Sequence, residues 1–208
     1  MNQEAEGAGG ETFRNKVHGL LRASILDAAW ARANESTWGQ VRIADIARDV
    51  GVSRQTIYNE FGTKDQLSLA IFHRELERFL VELEAQIQAA DRFSDAVRQG
   101  LTWMLDETAG HKMVGRMLAD ARNGSTDGLI PILTLRSDLI IVPVRTRLAA
   151  IIKGRWPEAD DAATEVVADL YVRFVLGLVV TPTDLDTGAM VEALVGMAVG
   201  MDVAAARR

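Results

Sequence analysis

Apolar residues return every three or four positions from Arg14 almost to the C-terminus, and nothing else constrains this chain as strongly. A 3.6-residue period lays the apolar residues along one face of a helix, whereas a half-buried strand needs strict alternation. Val17, Leu20, Leu21, Ile25 and Ala28 open the pattern, which runs out near Asn34-Glu35-Ser36. Two short helical pieces follow, at about 43–50 and 53–59. Thr63-Lys64-Asp65-Gln66 has the form of a capping box, in which hydroxyl and amide side chain each satisfy an end-of-helix N–H. A long helix is therefore predicted from there to about Gln88, with Leu67, Ile71, Leu76, Leu80, Leu83 and Ile87 inward. Further helices are predicted at about 94–108, 112–122, 160–180 and 187–203. Pro131 and Pro143 cannot share one straight helix, so a short helix, a break and a helix starting near Pro143 are expected between them. No strand pair and no internal repeat emerges, and the expected fold class is all-α.

The 208 residues, 48% of them hydrophobic, suffice to bury a real core. The absence of cysteine excludes disulfides and thiolate metal sites. No stretch approaches the ~18 apolar residues of a membrane span, and the acidic start of the chain is the reverse of a targeting signal. A cytoplasmic protein without membrane association is expected. Residues 1–12, rich in glycine and lacking periodicity, are expected to form a disordered tail. The net charge of -6 argues at first against a nucleic-acid partner. Its distribution reverses that reading, because residues 13–64 hold eight basic and five acidic side chains, a local net of +3. A cationic module on an anionic body suits a reader of DNA whose body discourages indiscriminate binding.

Within that module, Ile43, Ile46 and Ala47 give a short helix its apolar face, and the small Ala47 lets a second helix cross closely. Gly51 stands where a sharp turn needs a left-handed residue, and Val52 fills the angle between the helices. Ser53 then caps a second helix with Ile57 and Phe61 inward and Arg54, Gln55 and Asn59 outward. This is a helix-turn-helix, and its second helix is expected in the major groove of DNA.

The order Ile46-Ala47, Gly51-Val52-Ser53, Thr56-Ile57-Tyr58, Phe61 and Lys64-Asp65-Gln66-Leu67 resembles the TetR family of bacterial regulators, over about Val17 to Ile71. Two positions depart from the family pattern, Arg42 in place of a common threonine and Gln55 in place of a small residue. The resemblance implies that Thr56, Tyr58 and Lys64 contact phosphates while Arg54, Gln55 and Asn59 face base edges. The chemistry agrees, since Arg pairs with guanine, Gln and Asn pair with adenine, and hydroxyl or ammonium groups suit phosphate. With Arg42 and Ser53, these residues form the candidate DNA-binding set. The expected division is a helix-turn-helix domain at 13–63 and a ligand-sensing and dimerisation domain at 64–208.

In that body, Trp103, Met104, Met113, Met117, Leu118, Phe174 and Leu178 lie on inward helix faces. They are the candidate lining for a small hydrophobic ligand, such as a fatty acid or related lipid, because methionine-rich walls adapt to their contents. Arg173 is expected to pair with Asp169 on its own helix. Ala189, Ala193, Gly196, Ala198 and Gly200 make the last helix suited to close approach, and the resemblance implies a homodimer through the last two helices. The alternatives are control by a protein partner and, from another class, a helical enzyme with an incidental helix-turn-helix. No catalytic, cofactor or metal-ligand spacing occurs, and His18, His73 and His111 are scattered.

Overall fold

The structure, a computed structural model, describes the backbone of residues 3–124 and 130–206 and the side chains of 15–112, 114–124 and 130–196. Among these residues the regular structure is entirely α-helical: α1 (Gln3–Glu35), α2 (Ile43–Val50), α3 (Arg54–Phe61), α4 (Lys64–Gln88), α5 (Phe93–Gly110), α6 (Lys112–Arg122), α7 (Ile130–Leu133), α8 (Asp138–Arg155), α9 (Asp161–Val180) and α10 (Thr187–Ala206). Two compact units divide at Arg74 and Glu75, inside α4 and eleven residues beyond the boundary read from the sequence. No helix among the described residues is long and apolar enough to cross a membrane.

One expectation is corrected, the start of α8. The helix α1 starts at Gln3. Gly7, Gly9 and Gly10 are poor helix formers, and α1 continues through them. Pro143 lies inside α8, which starts at Asp138 rather than near the proline. So close to the N-terminus, the missing N–H deprives only the Leu139 carbonyl of its partner, and the break falls in the turn after α7.

In the first unit, Ile25, Leu26 and Ala29 of α1 pack with Ile46 and Ala47 of α2, Ile57 and Phe61 of α3, and Leu67 and Ile71 of α4. The turn between α2 and α3 is closed at both ends. Gly51 adopts φ 78°, its N–H donates to the Arg48 carbonyl at 3.3 Å, and the Val52 N–H donates to the Ala47 carbonyl at 2.9 Å. That paired pattern satisfies the last carbonyls of α2, and a side chain at Gly51 would strain it. Charged ties join the helices from outside the core. Arg32 of α1 makes two hydrogen bonds to the Asp49 carboxylate of α2, at 2.5 and 2.8 Å, and holds that carboxyl below the usual carboxylate range. Arg74 of α4 reaches Asp27 of α1 at 2.7 Å.

In the second unit, α5 packs on α10 and α9, and α8 packs on α9. The core includes Leu83 and Ile87 of α4, Val97, Leu101 and Met104 of α5, Leu148 and Ile152 of α8, and Tyr171 and Val175 of α9. Asp160 caps α9 by accepting from the Ala163 N–H at 2.9 Å. Arg98 of α5 grips the Glu192 carboxylate of α10 at 2.7 and 3.0 Å, which pulls that carboxyl's pKa down. Arg173 pairs with Asp169 at 2.5 Å, the partner expected from the sequence.

Candidate nucleic-acid interface and ligand cavity

Eight-residue helices are too short to be stable alone, so the direction of α3 depends on what holds its ends and inner face. Ser53 caps it: the Ser53 Oγ accepts from the Thr56 N–H at 3.0 Å and lies 2.8 Å from the Thr56 hydroxyl. Ile57 and Phe61 are buried in the unit core. At the C-terminal end, the largely buried Glu60 carboxylate accepts from Arg22 at 2.8 Å and meets His18 at 2.6 Å, both on α1. The Arg22 guanidinium also lies over the Phe61 ring, 4.4 Å from its centre. Cap, core and clamp together fix α3 before any partner arrives.

The opposite face of α3 is open. Arg54, Gln55 and Asn59 are exposed, and Tyr58 is 44% exposed. Gln55 donates its amide to the Asn59 Oδ1 at 2.8 Å, so these two residues form one polar unit. Arg42 is exposed at the start of α2. Ser53 and Thr56, both in the candidate DNA-binding set, spend hydrogen-bonding capacity on the cap.

Lys64 has local work as well. Its ammonium donates to the carbonyls of Trp38 at 2.6 Å and Gly39 at 3.3 Å, and lies 5.4 Å from the centre of the Trp38 ring. These bonds tie the start of α4 to the loop between α1 and α2. Lys64→Ala is accordingly expected to lower fold stability by about 1.5–3 kcal/mol, the scale of hydrogen bonds to a charged group. A thermal melt followed by circular dichroism reads this, and an unchanged melting temperature would show that the tie carries no weight.

The passage from α3 to α4 takes two residues. Thr63 and Gln66 form the reciprocal capping box: the Gln66 N–H donates to the Thr63 Oγ1 at 3.1 Å, and the Thr63 N–H donates to the Gln66 Oε1 at 2.8 Å. Gly62, at φ 78°, leaves room for it, since a Cβ there would stand 2.1 Å from the Gln66 Oε1. The roles of Gly62, Glu60 and the Trp38 carbonyl were not read from the sequence. Glu60 had one available signal, its position beside Phe61 and three residues after Ile57, next to the buried face.

The second unit holds an apolar cavity of about 20 Å³ in its core. Leu83 and Ile87 of α4, Leu101 and Met104 of α5, and Leu148 and Ile152 of α8 form most of its wall, with Tyr171 and Trp156 completing it. Of the seven candidate lining residues, Met104 is on this wall. Trp103 packs on Phe79, with ring centres 4.8 Å apart. Phe174 is partly buried against the same core, Met117 is buried in α6, and Leu118 and Leu178 are half-buried. The Met113 side chain lies outside the described residues.

On α9 and α10 some apolar and small residues face solvent: Val166 is 58% and Leu170 47% exposed, and Ala189, Ala193 and Gly196 are exposed. The side chain of Ala198 and the position of Gly200 within the candidate close-approach face lie outside the described side chains.

Comparison with known proteins agrees with this organisation. Residues 25–71 match the family model of bacterial regulatory proteins of the tetR family, and residues 93–198 match that of the bacterial tetracyclin repressor C-terminal domain. The chain is 31% identical over 168 residues to the HTH-type transcriptional regulator AlkX of Mycobacterium tuberculosis, spanning 80% of this chain and 78% of that protein. Two solved structures share the fold. The TetR family repressor AlkX from Dietzia sp., implicated in biodegradation of n-alkanes, matches at a TM-score of 0.69 and 20% identity, covering 86% of this chain and 96% of that one. FadR from Bacillus subtilis, in complex with stearoyl-CoA, matches at 0.51 and 17%, covering 85% and 97%. With a capped helix-turn-helix followed by an all-helical body, and with both parts matched by family models, this chain belongs to the TetR family of transcriptional regulators.

Proposed function

We propose that the protein is a repressor that binds a palindromic operator as a homodimer and is released by an aliphatic ligand, a fatty acid or related lipid, entering the helical body. Arg54, Gln55 and Asn59 read base edges in the major groove, and Arg42, Ser53, Thr56, Tyr58 and Lys64 meet the phosphates. A guanidinium suits guanine O6 and N7, and the Gln55–Asn59 amide pair offers the donor and acceptor that adenine requires. Two such heads on a two-fold axis call for half-sites spaced by whole helical turns, roughly 34–36 Å each.

The observation that carries the ligand reading is the cavity. Among the described residues its wall has no charged side chain, so it favours hydrocarbon over sugars, nucleotides or amino acids. At about 20 Å³ it is far smaller than the roughly 300–1,000 Å³ of occupied ligand sites, so a chain-like guest enters only by pushing the wall apart. Leu83 and Ile87 belong to that wall and to α4, the helix that follows α3 after two residues. A guest that moves α4 acts on the helix attached to the reading head. Tenfold weaker DNA binding requires the ligand to prefer the non-binding form by only about 1.4 kcal/mol. The relatives that support the aliphatic class are the Dietzia regulator implicated in n-alkane biodegradation and the stearoyl-CoA complex of FadR.

The test is fluorescence anisotropy on the DNA upstream of the protein's own gene, titrated with long-chain fatty acids and with polar metabolites of similar size. Release by the fatty acids alone is expected, and release by the polar set alone ends the aliphatic reading. In the same assay Arg54→Ala is expected to cost about 1–3 kcal/mol and to relax preference at one base pair. A uniform loss across all sequences would instead assign Arg54 to the phosphates.

A further inference from the structure

The cavity wall is almost entirely hydrocarbon, and the exceptions are few. Among its lining residues only Tyr171 and Trp156 carry an O–H or N–H on the side chain, and Met104 adds a weak thioether acceptor. Trp156 is half-buried at the end of α8 and packs edge-on against Phe93, with ring centres 5.4 Å apart. Tyr171 is different. It is 6% exposed, in the middle of α9, and its hydroxyl makes no hydrogen bond among the described residues. The hydroxyl is not one of the fully buried polar atoms that lack a partner, so it keeps open space beside it that a water or a ligand oxygen can occupy.

We propose that the Tyr171 hydroxyl is the polar anchor of the cavity, donating a hydrogen bond to the terminal oxygen of a bound aliphatic alcohol or un-ionised acid. The proposal rests on the reading that the cavity takes an aliphatic ligand, and it adds which end of the ligand is recognised and by what. The donor is permanent at neutral pH, since burial pushes the Tyr171 hydroxyl up to about 12. No Lys, Arg or His among the described residues lies on the wall to balance a carboxylate, so the recognised oxygen is an uncharged one. A plain alkane fills the same hydrocarbon space and leaves the hydroxyl unmatched. The site therefore distinguishes an oxygenated chain from the hydrocarbon of equal length, although both bury the same methylenes.

The experiment compares 1-dodecanol, dodecanoic acid and n-dodecane on the full chain, by displacement of a fluorescent aliphatic probe. The wild-type protein is expected to bind the alcohol about tenfold more tightly than the alkane, a single hydrogen bond's worth of selectivity. The acid is expected to follow the alcohol when un-ionised and to weaken as it ionises. Tyr171→Phe keeps the ring and removes only the oxygen, so it should cancel the preference by weakening the alcohol about tenfold while leaving the alkane unchanged. Trp156→Phe should leave the preference intact. Equal effects of Tyr171→Phe on alcohol and alkane, or none on either, overturn the proposal, as does loss of the preference in Trp156→Phe alone. Failure of the wild-type protein to bind any of the three overturns the aliphatic reading itself, a result distinct from binding without selectivity.

Discussion

Gly196→Glu is expected to leave each chain folded, to convert the proposed dimer to a monomer, and to abolish binding to the proposed full operator. Gly196 is exposed on α10, and a Cβ added there meets no described atom within 4 Å. The substitution therefore has no steric reason to disturb its own subunit. Against a second copy the situation reverses, because a carboxylate facing the small residues of a close helix contact must be desolvated without a partner. Val166 and Leu170 on α9 supply apolar area that a second copy would cover. Losing one reading head removes half of the base and phosphate contacts, so the drop in operator affinity should span several orders of magnitude. Sedimentation velocity and anisotropy on the same sample check both effects. A monomer that still binds the full operator tightly would refute the dimer proposal.

Leu101→Ala is expected to give the largest loss of stability, about 3–5 kcal/mol, because Leu101 is 1% exposed and already borders a void. The truncated side chain enlarges the cavity, and the rigid α5 backbone limits collapse around it. An apolar enlargement of this kind stays dry and accepts small hydrocarbons. Adding a short alkane should therefore recover part of the lost melting temperature in the variant, in proportion to ligand concentration, and do much less for the wild-type protein. Melts with and without the alkane test both halves. A loss below about 1 kcal/mol would mean that the neighbouring helices close over the gap.

Much of the fold was legible because the local signals each perform one geometric task. Gly51 has the left-handed backbone that its turn demands, Ser53 caps α3, and Thr63 with Gln66 forms the expected reciprocal box. Periodicity is a weaker guide to which faces meet. The spacing of α9 alone would place Val166 and Leu170 on one broad apolar face with Tyr171 and Val175, yet the first two face solvent and the others are buried. At ~100° per residue, a helix that is apolar on two sides looks like a helix with one wide face. The cavity shows the same gap. Met104 and Met117 are both buried, but only Met104 borders the void, because convergence of α4, α5, α8 and α9 is a property of their packing. The hydrogen bonds of Lys64 to the Trp38 and Gly39 carbonyls were hidden for a related reason, since the partners are backbone atoms about 25 positions away and carry no side-chain signature.

The way α3 is held has a consequence for how such regulators diverge. Its placement depends on Ser53, Ile57, Glu60 and Phe61, whereas Arg54, Gln55 and Asn59 project into solvent with no bond to the core. Exposed substitutions of this kind usually change stability by less than about 0.5 kcal/mol. Gene duplication followed by drift at those three positions can thus explore new operators while the scaffold beneath them stays as it was. Two descendants of one ancestor then separate their targets by changing three side chains, and neither has to relearn how to fold.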